Sequence, residues 1–257
     1  MKIRLLGAHN LESRYTRHTC LLLDGVLGLD VGSLASALNP REQAEVRAIL
    51  ITHGHFDHIR DIPTLGLATR DDPRPVDVYA LKETLESLHD HLLDGDVYPD
   101  LTQSLNGATP RYRFNAVTPW ESIRVLSYQV KPIPVSHAAP SVGYIVKSDS
   151  GYCMAYTGDT GGDLRPFFQD ELEPQVIFVD VTFPNRLEHI ANISGHLTPG
   201  LLRGQLLELV KTNAQLPRIV PVHLSLTERD EVIQELKSIS NELGVDLTPG
   251  YEDMLVS

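Results

Sequence analysis

Long apolar runs are missing from this chain. No stretch approaches the ~20 apolar residues that a membrane span requires. The opening Met1-Lys2-Ile3-Arg4-Leu5-Leu6-Gly7 is too short for a secretory apolar region before Asn10, Glu12 and Ser13 follow. The expectation is a soluble, cytoplasmic protein with no membrane partner. Cysteine is scarce. Cys20 and Cys153 stand far apart in apolar surroundings, which excludes a disulfide framework and reads as two buried thiols. Positive charge is scarce as well: 22 basic against 34 acidic residues give a formal net charge of −12. The basic stretches Arg41 to Arg47 and Arg70 to Arg74 are interleaved with Glu and Asp, so no basic patch stands out. Such a surface repels long polyanions, and a long nucleic acid is not expected as a partner. Gly/Ser linkers and low-complexity tracts are absent, so residues 1–257 are expected to form one domain.

What is present points to a folded enzyme. Hydrophobic residues at 42% and a mean hydropathy of −0.12 set disorder aside. Residues 2–8, 20–24, 26–30 and 47–52 read as strands, with Asp24-Gly25 as a hairpin turn. Leu34 to Leu38 and Pro40 to Val46 suggest a short helical crossover, and Leu81 to Leu93 an acidic helix. In the second half, strands are predicted at 111–114, 123–135, 142–147, 152–156, 176–182 and 218–222, and helices at about 199–213 and 227–242. Strands first, then helices, in each half predicts the α/β class, as a four-layer αββα sandwich of two mixed β-sheets.

Histidine is the unusual abundance, at eleven residues. After the apolar strand Ala48-Ile49-Leu50-Ile51 the chain reads Thr52-His53-Gly54-His55-Phe56-Asp57-His58, four potential ligands within six residues at a strand's carboxyl end. In a loop, His53 and His55 can converge on one ion while Asp57 and His58 turn toward a second. Two ions side by side can clamp attacking and leaving oxygens. A cage at one edge of a sandwich collects its remaining ligands from later strand ends. His137 after Val130 to Val135, Asp159 after Met154 to Tyr156 and His223 after Ile219 to Val222 occupy such positions, each beside Gly, Ser or Pro.

This ordered set, His53, His55, Asp57, His58, then Ser136-His137, Thr157-Gly158-Asp159-Thr160 and His223, resembles the metallo-β-lactamase superfamily along nearly the whole chain. The resemblance implies the four-layer metallo-β-lactamase sandwich and two divalent metals, commonly zinc, with manganese or iron in some branches. His53, His55 and His137 would hold one ion, Asp57, His58 and His223 the other, with Asp159 bridging. An all-nitrogen-and-oxygen shell suits several divalent metals.

The fold hosts many reactions, so the substrate must be argued from branch-specific residues. Phe178-Val179-Asp180-Val181-Thr182-Phe183-Pro184-Asn185, then Ser194-Gly195-His196-Leu197-Thr198-Pro199, is similar to class II 3′,5′-cyclic-nucleotide phosphodiesterases, whose core resembles ribonuclease Z. Phe56 stands where that branch has an aliphatic residue, and Ile62-Pro63-Thr64-Leu65 departs from its small apolar pattern. The resemblance implies that a metal-bridging hydroxide opens cAMP or cGMP to the nucleoside 5′-monophosphate. Asp57 would act at the metals and His196 as general acid, because an imidazolium can stabilise and protonate a leaving oxygen. His196 could equally be a loop residue before the helix cap Thr198-Pro199. A ribonuclease Z-like RNA phosphodiesterase is the rival within this chemistry, thioester or lactone hydrolysis a second, and a non-catalytic metal sensor a third. A homodimer is expected by analogy alone.

The other candidates read more plainly. His89 and His91 are expected to face solvent on the acidic helix, while His9 and His18 could reach the substrate mouth. Trp120 reads as core or a contact between copies. Tyr144 and Phe183 could stack a nucleobase or pack in the core.

Overall fold

Strand residues point alternately to opposite faces, and here both faces are apolar, which makes each sheet an inner layer. The computed structural model describes residues 1–104, 109–211 and 216–256. Among them the strands are β1 (Ile3–Gly7), β2 (Cys20–Leu23), β3 (Leu27–Leu29), β4 (Ala48–Leu50), β5 (Val76–Ala80), β6 (Tyr112–Ala116), β7 (Ile123–Val125), β8 (Tyr128–Pro134), β9 (Val142–Ser148), β10 (Cys153–Tyr156), β11 (Val176–Asp180), β12 (Arg218–Val222) and β13 (Met254–Val256). They form a seven-stranded sheet in the order β13-β1-β2-β3-β4-β5-β6 and a six-stranded sheet in the order β12-β11-β10-β9-β8-β7. Both are mixed: β3 to β6 pair in parallel, as do β10, β11 and β12, while the remaining pairs are antiparallel.

The alternation sorts residues into three apolar layers. Leu21 and Leu23 of β2 meet Tyr144 and Val146 of β9 and Phe178 of β11 between the sheets. Their strand neighbours Cys20 and Leu22 pack outward under helices, together with Leu34, Leu65, Leu85 and Leu88. On the opposite flank Ile145, Ile177 and Val179 lie under Leu202, Leu206, Leu236 and Ile239 of the helices Pro199–Lys211 and Arg229–Leu243. The expected α/β sandwich of four layers is therefore the observed one. Cys20 and Cys153 sit in opposite outer layers as free, buried thiols. No helix among the described residues is long and apolar enough to cross a membrane.

Several expectations need correction. The run 123–135 is a hairpin of β7 and β8, because Leu126 takes a positive φ of 53° and turns the chain. The first half alternates strands and helices, since parallel β3 to β6 need crossovers. Strand β5, helix Ile62–Ala68 and the three-residue β13 lie outside the predicted elements. The last two positions of the helix expected at 199–213 fall outside the described residues. Asp24 and Gly25 do form the β2–β3 turn, both at positive φ as a type I′ turn requires.

Trp120 is 51% exposed and is not a core residue. Tyr144 is core: it is fully buried, and its hydroxyl crosses between the sheets to donate to Ile51 O at 2.8 Å. Tyr144→Phe leaves that carbonyl short of a donor. It is expected to lower the unfolding free energy by about 1–2 kcal/mol, seen in urea as a lower midpoint at unchanged slope. An unchanged midpoint would mean that the bridge between sheets contributes nothing.

Candidate metal centre

The cluster forms where strands of both sheets end. Thr52 and His53 follow β4, His55 precedes the single helical turn Phe56–Ile59 that carries Asp57 and His58, and His137, Asp159 and His223 follow β8, β10 and β12. Each residue expected there is present. His53, His55, His137 and Asp159 offer ligand atoms within 4.8 Å of one another, and Asp57, His58, Asp159 and His223 do the same. Asp159 belongs to both groups. It also belongs to a third, with Asp180, His196 and His223. His53, His58, Asp159 and His223 are buried while His55 is exposed, so the cluster opens to solvent on the side of His55 and Asp57.

Two aspartates that the sequence reading gave no role hold the imidazoles in place. Asp30, fully buried after β3, accepts from His58 Nδ1 at 2.7 Å and from Tyr156 Oη at 2.8 Å. It also accepts from Thr52 Oγ1 at 2.9 Å, and that hydroxyl oxygen accepts from His53 Nδ1 at 3.0 Å. Asp180, fully buried at the end of β11, repeats the arrangement. It accepts from His196 Nδ1 at 2.7 Å and from Thr182 Oγ1 at 2.6 Å, and Thr182 Oγ1 in turn accepts from His223 Nδ1 at 2.8 Å. His137 Nδ1 donates to Gly195 O at 3.0 Å. With Nδ1 of these five rings occupied, Nε2 is the atom each has left for a ligand, whereas His55 turns Nδ1 to the cluster, 3.2 Å from His137 Nε2. Gly195 has a φ of +74°, and a Cβ there would stand 3.0 Å from His137 Cα, so glycine is favoured on both counts.

The donor set fits divalent metal. His53 Nε2, His58 Nε2 and Asp159 Oδ1 are buried without a hydrogen-bond partner, an arrangement that native proteins rarely leave unanswered. Asp159 Oδ2 lies 3.3 Å from His58 Nε2, 3.4 Å from His223 Nε2, 3.8 Å from His53 Nε2 and 3.9 Å from His137 Nε2. Two ligands each ~2.0–2.1 Å from one tetrahedral ion stand roughly 3.3–3.4 Å apart. Charge points the same way. Burial penalises the Asp159 carboxylate, but His223 and His58 hold it well below the usual carboxylate range. Burial works against a charged His58 too, yet Asp159 and Asp30 push it well above the ordinary imidazole value. Burial lowers His196, and Asp180 more than reverses this, raising it to about 9.

The remaining candidates lie elsewhere or at the rim. His9 is buried and donates from Nδ1 to Glu252 Oε1 at 2.7 Å, outside the cluster. His18 is half-buried, with Nδ1 donating to Asn10 O at 3.1 Å and Asp57 among the charges that act on it. His89 and His91 face solvent, as expected. Phe183 sets its ring edge-on to His196 at 5.8 Å. Leu126, Trp120, Asp30 and His223 all take positive φ, but only the last two lie in this centre. Asp30 and Asp180 did leave a signal in the sequence, a lone carboxylate at the end of an apolar strand.

A family model described as "Beta-lactamase superfamily domain" matches residues 19–224, a span that encloses the whole cluster. Among curated proteins the chain is similar to a "Probable 3′,5′-cyclic-nucleotide phosphodiesterase" of Yersinia pestis. The two are 25% identical over 229 residues, covering 78% of this chain and 65% of that protein. It is also similar to a "Ribonuclease Z" of Methanococcus maripaludis, 26% identical over 235 residues, covering 83% of this chain and 73% of that one. The match thus spans less than two thirds of the Yersinia protein. The crystal structure of unliganded yeast PDE1 has the same fold, with a TM-score of 0.81 at 17% identity, covering 99% of this chain and 98% of that one.

If Asp30 and Asp180 orient the imidazoles, Asp30→Asn and Asp180→Asn should each weaken metal binding by about 10- to 100-fold. Competition with a chromophoric chelator measures this directly. Affinities equal to wild type would show that the Nδ1 hydrogen bonds do not position the cluster.

Proposed function

The chain belongs to the beta-lactamase superfamily, and from that membership we propose that it is a metal-dependent phosphodiesterase, one hydrolase unit over residues 1–257, that opens 3′,5′-cyclic nucleotides to nucleoside 5′-monophosphates. His53, His55 and His137 would hold one divalent ion and Asp57, His58 and His223 a second, with Asp159 between them. Bound there, divalent ions would lower the pKa of a water and offset the charge of the phosphate oxygens.

The observation that carries the reading is the Asp180–His196 pair. Asp180 accepts the hydrogen bond from His196 Nδ1 at 2.7 Å and stabilises the imidazolium, leaving Nε2–H free to serve the departing 3′-oxygen. The ring of His196 lies 5.2 Å from that of His223 and 5.1 Å from that of His137, which places it over both halves of the cluster. A leaving alkoxide gains negative charge as the P–O bond breaks, and a fixed cation at that point favours the transition state over the bound substrate. The similarity to the Yersinia phosphodiesterase supports the cyclic substrate. A specific observation also favours a second reading, RNA phosphodiester cleavage: the Methanococcus ribonuclease Z matches 83% of this chain. The net charge of −12 weighs against long RNA.

Steady-state assays of the metal-loaded protein on 3′,5′-cAMP, 3′,5′-cGMP, bis(p-nitrophenyl) phosphate, a thioester and a transfer RNA precursor distinguish these. Cyclic-nucleotide turnover is expected, abolished by Asp57→Ala. His196→Gln should lower kcat by about 10²- to 10⁴-fold while metal content holds. Turnover of the RNA or thioester without either cyclic nucleotide would remove the substrate assignment. Full activity of His196→Gln would remove the general acid.

A further inference from the structure

The side on which the metal cluster opens carries more than metal ligands. His18 stands beside Asp57 there. A Cβ on Gly32 would lie 1.6 Å from Asp57 O and 2.8 Å from His18 Cβ, so only a residue without a side chain lets the two approach each other at this point. Asp57, Arg60 and Glu12 are the charges that act on the His18 imidazole. Arg60 and Glu12 pair with each other, and Arg60 Nε also donates to Asp61 Oδ1 at 2.9 Å, so both of these charges are engaged. The neighbouring Phe56 is 61% exposed and gives the same rim an apolar face.

The ring is held firmly. Its Nδ1 donates to Asn10 O at 3.1 Å, and the His18 carbonyl accepts from Ser33 Oγ at 2.7 Å. His9 brackets His18 along the chain, donating from N to Arg17 O and accepting from Thr19 N, each at 3.0 Å. His9 is itself clamped, because Glu252 Oε1 accepts both from His9 Nδ1 at 2.7 Å and from Arg17 N at 3.0 Å. The row continues from His18 through His9 to Leu224, which follows His223, so one scaffold carries His18 and a residue of the metal cluster. A backbone carbonyl can only accept, so the proton of the neutral ring sits on Nδ1 and Nε2 offers a lone pair. That Nε2 has no partner among the described residues and, unlike Nε2 of His9, keeps solvent access. Among the described residues His18 joins none of the groups whose atoms converge for a metal. We propose that His18 recognises the nucleoside part of the substrate, its Nε2 accepting a hydrogen bond from the ribose 2′-hydroxyl or from a base amino group. The assignment rests on the cyclic-nucleotide reading and adds to it a residue that separates nucleotides from other phosphodiesters. An acceptor already oriented by the fold loses little freedom on binding, which is what makes one hydrogen bond count.

Two variants of the metal-loaded full chain test this, with metal content and circular dichroism measured alongside. His18→Asn keeps a donor at the position of Nδ1 and removes the acceptor at Nε2, whereas His18→Gln puts an amide oxygen near the Nε2 position. His18→Asn should raise KM for 3′,5′-cAMP by about 3- to 10-fold with kcat little changed, and His18→Gln should restore part of the loss. The ratio of kcat/KM for cAMP to that for bis(p-nitrophenyl) phosphate, which has neither donor, should fall in His18→Asn by the same factor. Trimmed substrates identify the donor: the penalty of His18→Asn vanishes with 2′-deoxy-cAMP if the hydroxyl is bound, and with purine riboside 3′,5′-cyclic monophosphate if the amino group is. A penalty that persists with both, an unchanged KM for cAMP, or an equal loss on bis(p-nitrophenyl) phosphate overturns the role of His18 while cyclic-nucleotide turnover stands. Wild-type protein that hydrolyses bis(p-nitrophenyl) phosphate but neither cyclic nucleotide overturns the substrate reading, and this assignment with it.

Discussion

Two fully buried carboxylates, Asp30 and Asp180, are the constraint on which the centre depends. A bare carboxylate inside a protein is unfavourable unless several donors surround it, and each of these has its donors in the same form. One imidazole binds directly and another through a threonine hydroxyl: His58 and Thr52–His53 at Asp30, His196 and Thr182–His223 at Asp180. The hydrogen bonds that stabilise the carboxylates therefore fix four rings, three of which, His53, His58 and His223, turn Nε2 toward Asp159. Because Asp30 follows β3 of one sheet and Asp180 ends β11 of the other, ring positions are tied to the packing of the two sheets. Tyr156, on the second sheet, donates to Asp30 and Tyr144 to Ile51 O, so the seam itself is hydrogen-bonded.

The same constraint accounts for the strained backbone at the site. Asp30 and His223 adopt φ of 50° and 59°, a region that residues with a Cβ rarely occupy, at about 1–3 kcal/mol each. Each has its side chain hydrogen-bonded there, Asp30 to His58 and His223 to Thr182. The chain as a whole is acidic, and three of the four buried acids among the described residues, Asp30, Asp159 and Asp180, are gathered around imidazoles. That distribution favours positive charge at the cluster.

Much of this was legible in the sequence, for physical reasons. Four ligands in six residues at a strand end read as a metal cluster, and His137, Asp159 and His223 recurred at later strand ends because a sandwich exposes its strand termini on one edge. The structure brings all seven together with His196. The roles of Asp30 and Asp180 were not legible, since a carboxylate that acts through another residue carries no spacing rule. Tyr144 and Trp120 show the limit for single aromatics. An aromatic in an apolar strand proved to be core, and one after a proline proved exposed, because burial is decided by tertiary packing that local pattern does not encode. The break within 123–135 depended on one residue, Leu126, entering a conformation that leucine seldom adopts.

On the proposed reading, these buried carboxylates position the ligands that would hold two ions, with Asp159 shared between the two groups. The most direct measurement is elemental analysis of the purified full chain after loading with zinc or manganese and removal of free metal. Two divalent ions per chain, reduced to one or fewer in Asp159→Ala with the fold intact by circular dichroism, is the predicted result. One ion or none in the wild-type protein, or a stoichiometry indifferent to Asp159, would contradict it.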